Sequence, residues 1–225
     1  MRGFYHKIWL RLYGQWVLYY IQKERSFEYA GIRVQVPPGV FHPGLFFSTT
    51  IFIDFLQSID FHGKNVLDIG TGSGLLALFA AKQGARTTAL DINPLAVATC
   101  RKNAISNRLP IQVVESDLFD QLPAGTTYDY LIVNPPYFKA SPKDHAARAF
   151  FAGENLEYFD KLFQQIPSFT HINTKIWMIL SGECDLKMIH QKAEANGLEH
   201  KVLFEKTKWG KQMLIVEYLS CSGTG

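Results

Sequence analysis

The chain has 225 residues, 47% of them apolar, and a formal charge of +3 from 23 basic and 20 acidic side chains. This length suits one α/β domain with some decoration, and the apolar share argues against long disordered tracts. The small charge excess does not by itself imply nucleic acid, and three scattered cysteines (Cys100, Cys184, Cys221) indicate neither a disulfide framework nor a metal site.

Dispersed cysteines suit a reducing cytoplasm. No apolar run reaches the roughly 18–20 residues that span a bilayer, so no membrane span is expected. Arg11 and Gln15 interrupt the first apolar stretch, which therefore does not read as a signal peptide.

In chain order, residues 4–22 form an aromatic stripe, with Trp9, Tyr13, Trp16 and Tyr20 at helical spacing and basic residues between them. Packing on the domain is the expected role of such a helix; a lid, an RNA-contacting arm or a membrane-surface helix are the alternatives. Ile32–Val36 alternates as an edge strand would, and Pro37-Pro38-Gly39 ends it. Residues 45–56 read as a helix capped near Ser48. A βα series follows. Its strands are expected at 66–69, 86–90, 111–114, 130–133, 176–180, 202–205 and 213–219. Helices are expected at 75–83, from Pro94 to about 107, at 154–165 and at 185–196. The last two strands flank the turn Lys208-Trp209-Gly210-Lys211. This alternation predicts a doubly wound α/β fold, a mostly parallel sheet covered on both faces. The division is an extension (1–44), a catalytic domain (45–219) and a frayed tail (220–225).

The strand ending in Val66-Leu67-Asp68-Ile69 runs into Gly70-Thr71-Gly72-Ser73-Gly74 and then a helix. Glycines permit a tight turn and close backbone approach, and the helix start offers free N–H groups. The spacing is not the Gly-x-Gly-x-x-Gly of dinucleotide enzymes. Asp68 would repel a pyrophosphate but could hold an ammonium. This segment resembles the first motif of class I S-adenosylmethionine-dependent methyltransferases. The resemblance implies a seven-stranded Rossmann-like methyltransferase fold and S-adenosyl-L-methionine as cofactor, with Asp68, Gly70, Thr71, Gly72 and Gly74 around its methionine end. Asp91, after the second strand, matches the acid that takes the ribose hydroxyls, and Asp117, after the third, the residue that holds the adenine amino group. Ile92 and Leu118 would flank the adenine ring.

Asn134-Pro135-Pro136-Tyr137 closes the fourth strand. Two prolines stiffen the turn. The tetrapeptide is similar to that of methyltransferases acting on planar amino nitrogens, whose lone pair is delocalised and weakly nucleophilic. Asn134 and the Pro135 carbonyl can each accept one amino N–H, Tyr137 can stack on the planar group, and no metal is required. All four residues are thus candidate catalytic residues, and Asn134 also borders the cofactor. His42 and His145 could shuttle a proton but are expected to be solvated.

The flanks point two ways. Gly44-Leu45 and the following helix resemble the ribosomal RNA guanine enzymes with a small methyltransferase domain. Phe41-x-Pro43 with Thr49, and Ala152-Gly153-Glu154-Asn155-Leu156, resemble release-factor glutamine methyltransferases, although Phe46, Phe47 and Ser48 stand where those carry acids. Phe138 after Tyr137 fits tRNA adenine enzymes. The expected partner is therefore a macromolecular substrate, either RNA or a protein glutamine, with no DNA duplex.

Overall fold

A computed structural model describes residues 20–220. Most of the aromatic stripe at residues 4–22, and the tail beyond Ser220, lie outside the described residues. Strands β1 (Arg25–Tyr29) and β2 (Ile32–Val36) pair antiparallel and are followed by helix α1 (Ser48–Leu56). Then come β3 (Asn65–Ile69), α2 (Leu75–Lys82), β4 (Arg86–Asp91), α3 (Pro94–Asn107), β5 (Gln112–Glu115) and β6 (Tyr130–Val133). The chain closes with α4 (Glu157–Gln165), β7 (Lys175–Ser181), α5 (Leu186–Ala195), β8 (Leu198–Lys208) and β9 (Lys211–Ser220).

Seven strands form one sheet in the order β5-β4-β3-β6-β7-β9-β8. It is parallel from β5 to β7, and β9 runs antiparallel to both its neighbours. The strand order reverses between β3 and β6. Adjacent crossovers leave the sheet on opposite faces there, opening a crevice at the C-terminal strand ends. Successive side chains divide between the two faces. Leu67, Ile69, Leu131, Val133, Ile176 and Met178 face the core shared with α4 and α5. Val66, Ile132, Trp177 and Ile179 face the other, with α1, α2 and the β1–β2 hairpin.

Several local expectations meet an addition or a correction. Ile32–Val36 forms the expected alternating strand, paired with the unforeseen β1 in a separate two-stranded sheet, and Ile32, Val34 and Val36 bury one face in the core. Its other backbone edge meets α3. Asn103 both donates to and accepts from Gln35, and Asn107 does the same with Arg33, two side-chain amides four apart on one helix face standing in for a strand. Ser48 does not cap α1; Phe47 stands at the N-cap with no side-chain bond. Helix α4 begins at Glu157, three residues late, because Gly153 and Leu156 both take left-handed backbone and the Glu157 carboxylate accepts the Asn155 N–H. Strands β8 and β9 are longer than their apolar cores, since ladder pairing carries polar residues such as Glu199 and Lys201 with it.

Candidate active site

The loop after β3 is shaped by glycine. Gly70, Gly72 and Gly74 have φ of +75°, +55° and +88°, a region side chains seldom enter. A Cβ on Gly70 would meet open space, and one on Gly72 would come no closer than 3.8 Å to Phe41. A Cβ on Gly74 would lie 2.7 Å from the Cys100 sulfur on α3. The first two glycines therefore face a cavity, and the third lets α2 and α3 pack closely.

That cavity, about 1120 Å³, lies over the β3–β6 crevice. Gly70, Thr71, Gly72, Asp91, Ile92, Asp117, Leu118, Asn134, Pro135, Pro136 and Tyr137 all line it. Asp68 and Gly74 do not. Strand alternation turns Asp68 toward α2, where it is 1% exposed. Its Oδ2 accepts the Thr71 hydroxyl at 2.6 Å and the Ala77 N–H at 3.1 Å, while Oδ1 is buried without a partner. Asp68 thus anchors the loop to the first turn of α2 rather than reaching an ammonium in the cavity. Burial pushes its carboxyl up to about 7, against the lowering effect of those two bonds.

Asp91 accepts the Gly72 N–H at 2.8 Å through Oδ2 and the Asn93 N–H at 2.9 Å through Oδ1. Burial raises its pKa, opposed by these backbone bonds. Each oxygen has a second lone pair, so the half-buried carboxylate can accept further donors from the cavity. Asp117 is more exposed and pairs with Lys161 of α4 at 2.8 Å. Leu118, next in the chain, is held at φ +54° at the cavity wall. Asn134, one residue beyond β6, donates to the Thr49 hydroxyl on α1 at 3.2 Å, which leaves its carbonyl oxygen for another partner. Burial pushes the Tyr137 phenol up to about 12, so the ring is neutral at physiological pH.

The other wall is aromatic. Phe41, Phe46 and Phe150 cluster with centroids 4.9–5.7 Å apart, joining the segment before α1 to the long excursion between β6 and α4. That excursion is pinned back on itself by Phe138 N–H to Phe150 carbonyl (3.0 Å) and Ala152 N–H to Phe138 carbonyl (2.9 Å). His145 borders the cavity, but His42 does not and is not solvated. His42 is buried between Tyr20 and Phe27, its Nδ1 accepts the Gly44 N–H, and burial lowers its pKa. Two residues without an expected place in the site join it: Tyr158, which lines the cavity while its buried hydroxyl has no hydrogen-bond partner, and the turn residue Trp209 at the rim. No linear motif marks either, because each joins the site through tertiary packing.

The family model for the methyltransferase small domain matches residues 31–158, more than half the chain. This chain belongs to the methyltransferase small-domain family. Among the relatives of this methyltransferase is a protein of Methanocaldococcus jannaschii named as a protein N5-glutamine methyltransferase, 32% identical over 148 residues. That match covers 63% of this chain and 72% of the relative. The tRNA1(Val) (adenine(37)-N6)-methyltransferase of Shewanella amazonensis is 43% identical over 81 residues, covering 34% of this chain and 35% of the relative. The fold matches the T. thermophilus 16S rRNA N2 G1207 methyltransferase, solved with AdoMet and guanosine, at a TM-score of 0.66 and 20% identity. That alignment covers 87% of this chain and half of the other. The methyltransferase described here thus spans most of the first relative, and a third to a half of the other two.

Proposed function

We propose that this methyltransferase transfers the methyl group of S-adenosylmethionine to a planar amino nitrogen carried by a macromolecule. The observation that carries the reading is the placement of Asn134, Pro135, Pro136 and Tyr137 in the same cavity as Gly70, Gly72 and Asp91. The residues present fit the cofactor. Two left-handed glycines open the wall, Asp91 keeps acceptor capacity for a ribose, and the second oxygen of Asp117 and the Leu118 side chain suit an adenine. When bound, S-adenosylmethionine supplies a methyl group activated by its sulfonium and departs as a neutral thioether.

The protein's own part is orientation. The Asn134 carbonyl oxygen and the Pro135 carbonyl accept the two amino N–H groups, which raises electron density on nitrogen and aims its lone pair. Thr49 fixes the Asn134 amide so that its oxygen is the free end. The neutral Tyr137 ring stacks on the planar group, and Pro135-Pro136 keeps the turn rigid. No strong general base is needed, because the nitrogen becomes a much stronger acid once methylated. An unpaired RNA base and a glutamine side chain both present such a nitrogen; the length of the match to the M. jannaschii relative favours the glutamine reading, and the aromatic wall favours the base.

The test uses methyl-labelled S-adenosylmethionine with total RNA or with a protein extract. Asn134→Ala is expected to lower transfer by about 10²–10³-fold, the usual effect of losing one preorganised dipole, while still binding S-adenosylhomocysteine. Transfer at the wild-type rate by this variant would overturn the reading.

A further inference from the structure

The turn between β8 and β9 consists of Trp209 and Gly210, with φ of +51° and +77°. Two-residue hairpin turns of this kind favour Asn, Asp or Gly, and a bulky side chain there is strained. Trp209 is also 78% exposed. A residue that served only the turn would be small and polar. The indole instead meets Phe47 at right angles, ring centroids 4.5 Å apart and planes at 89°, while most of its surface stays open to solvent. The Lys208 ammonium lies 4.6 Å from the Phe47 ring centre and 5.8 Å from that of Trp209. Trp209, Phe47 and Lys211 border the same cavity as Asn134 and Tyr137.

Charge of both signs surrounds this rim, with Glu183 on the cavity wall and Asp54 and Glu205 near the turn. Lys206, Lys208 and Lys211 surround the turn. Exposed ion pairs tie Lys206 to Asp54 at 3.3 Å and Lys211 to Glu183 at 3.2 Å. Lys208 is engaged by the rings, and the exposed Arg148 and His145 stand elsewhere on the cavity wall. A largely exposed indole with the Lys208 ammonium beside it, bordering the cavity that holds Asn134 and Tyr137, suits one chemistry. That chemistry is a strand of unpaired bases on an anionic backbone, because every base has a face to stack and every linkage a charge to neutralise. A peptide loop offers neither in regular repeat.

We infer that Trp209 is a stacking platform for a nucleobase flanking the methylated one, on single-stranded RNA whose phosphates pass Lys208 and Arg148. The inference rests on the reading that the acceptor nitrogen is held at Asn134. It names the substrate class for that site.

The probe is a fluorescently labelled twelve-nucleotide RNA of mixed sequence, single-stranded or annealed to its complement. Binding to the full-length protein is followed by anisotropy, and S-adenosylhomocysteine binding by calorimetry. Trp209→Ala is expected to bind the single strand about tenfold more weakly, and Trp209→Phe to recover part of that loss. Lys208→Ala is expected to reduce the salt dependence of RNA binding by about one phosphate contact. All three variants should bind S-adenosylhomocysteine as the wild type does. Unchanged RNA affinity in Trp209→Ala overturns the platform. Equal affinity for duplex and single strand does the same. If the wild type binds S-adenosylhomocysteine and methylates extract protein but not RNA, the occupant is a polypeptide, and the inference falls while the methyl-transfer reading stands. If the wild type binds no S-adenosylhomocysteine, the methyl-transfer reading itself fails and takes this inference with it.

Discussion

Asp68 sits where a carboxylate is hardest to keep charged. It is sealed under the glycine loop, and its two hydrogen bonds go to a single oxygen. Its folded pKa, pushed up to about 7, stands above the roughly 3.9 of an unfolded aspartate. Between those values the folded state keeps a proton that the unfolded state has lost. Stability from this group therefore falls as pH rises from about 4 to 7, and is constant above that. Asp68→Asn retains an oxygen to accept from Thr71 and Ala77 but does not titrate. The melting temperature of the ligand-free variant, relative to wild type, should climb between pH 5 and 7 and level off from pH 7.5 to 9. A difference independent of pH would show that Asp68 does not titrate in this range. The residue type and its distance from the glycines were legible in the sequence. Its direction was not, because that depends on which sheet face α2 covers.

At the scale of elements, the start of α2 shows how one position joins two segments. Gly74 supplies the N-cap in left-handed backbone and gives up the space that Cys100 of α3 fills. Gly74→Ala adds strain at φ +88° and a contact with the sulfur that cannot stand. It is expected to destabilise the protein by about 1–3 kcal/mol in urea unfolding. Cys100→Ala in the same background should restore the part due to the sulfur and not the part due to φ. Full recovery in the double variant would mean that the backbone is unstrained. Helix α3 was readable almost to the residue. Its Asn93 cap accepts the Leu95 N–H at 3.0 Å and Pro94 follows, both local signals. The β1–β2 hairpin was half missed because Arg25–Tyr29 carries its pairing information in β2 and not in its own composition.

Across the whole molecule, the cavity collects the C-terminal ends of β3, β4, β5 and β6, together with segments from before α1 and after β9 begins. Among the described residues no helix is long and apolar enough to cross a membrane. A ligand bound only by the folded state stabilises it by about 2.7 kcal/mol at one hundred times its dissociation constant. At roughly 2–4 °C per kcal/mol for a chain of this size, S-adenosylhomocysteine should raise the melting temperature by about 5–10 °C, and in proportion to the logarithm of its concentration. No shift at millimolar ligand would remove the cofactor from this site. The order of strands and helices, the glycine turn, the acids at successive strand ends and the stiff Asn134-Pro135-Pro136-Tyr137 corner were determined by the sequence itself, since each follows from periodicity, backbone preference and chemistry within a few residues. Only the tertiary structure decided that Asp68 is sealed beneath the glycine loop on Thr71 and Ala77, that Asn134 is held by Thr49 from 85 residues away, and that Phe41 meets Phe150 and Phe47 meets Trp209. Those contacts join distant segments, and their partners are chosen by which faces the sheet brings together, a property that no local window of residues contains.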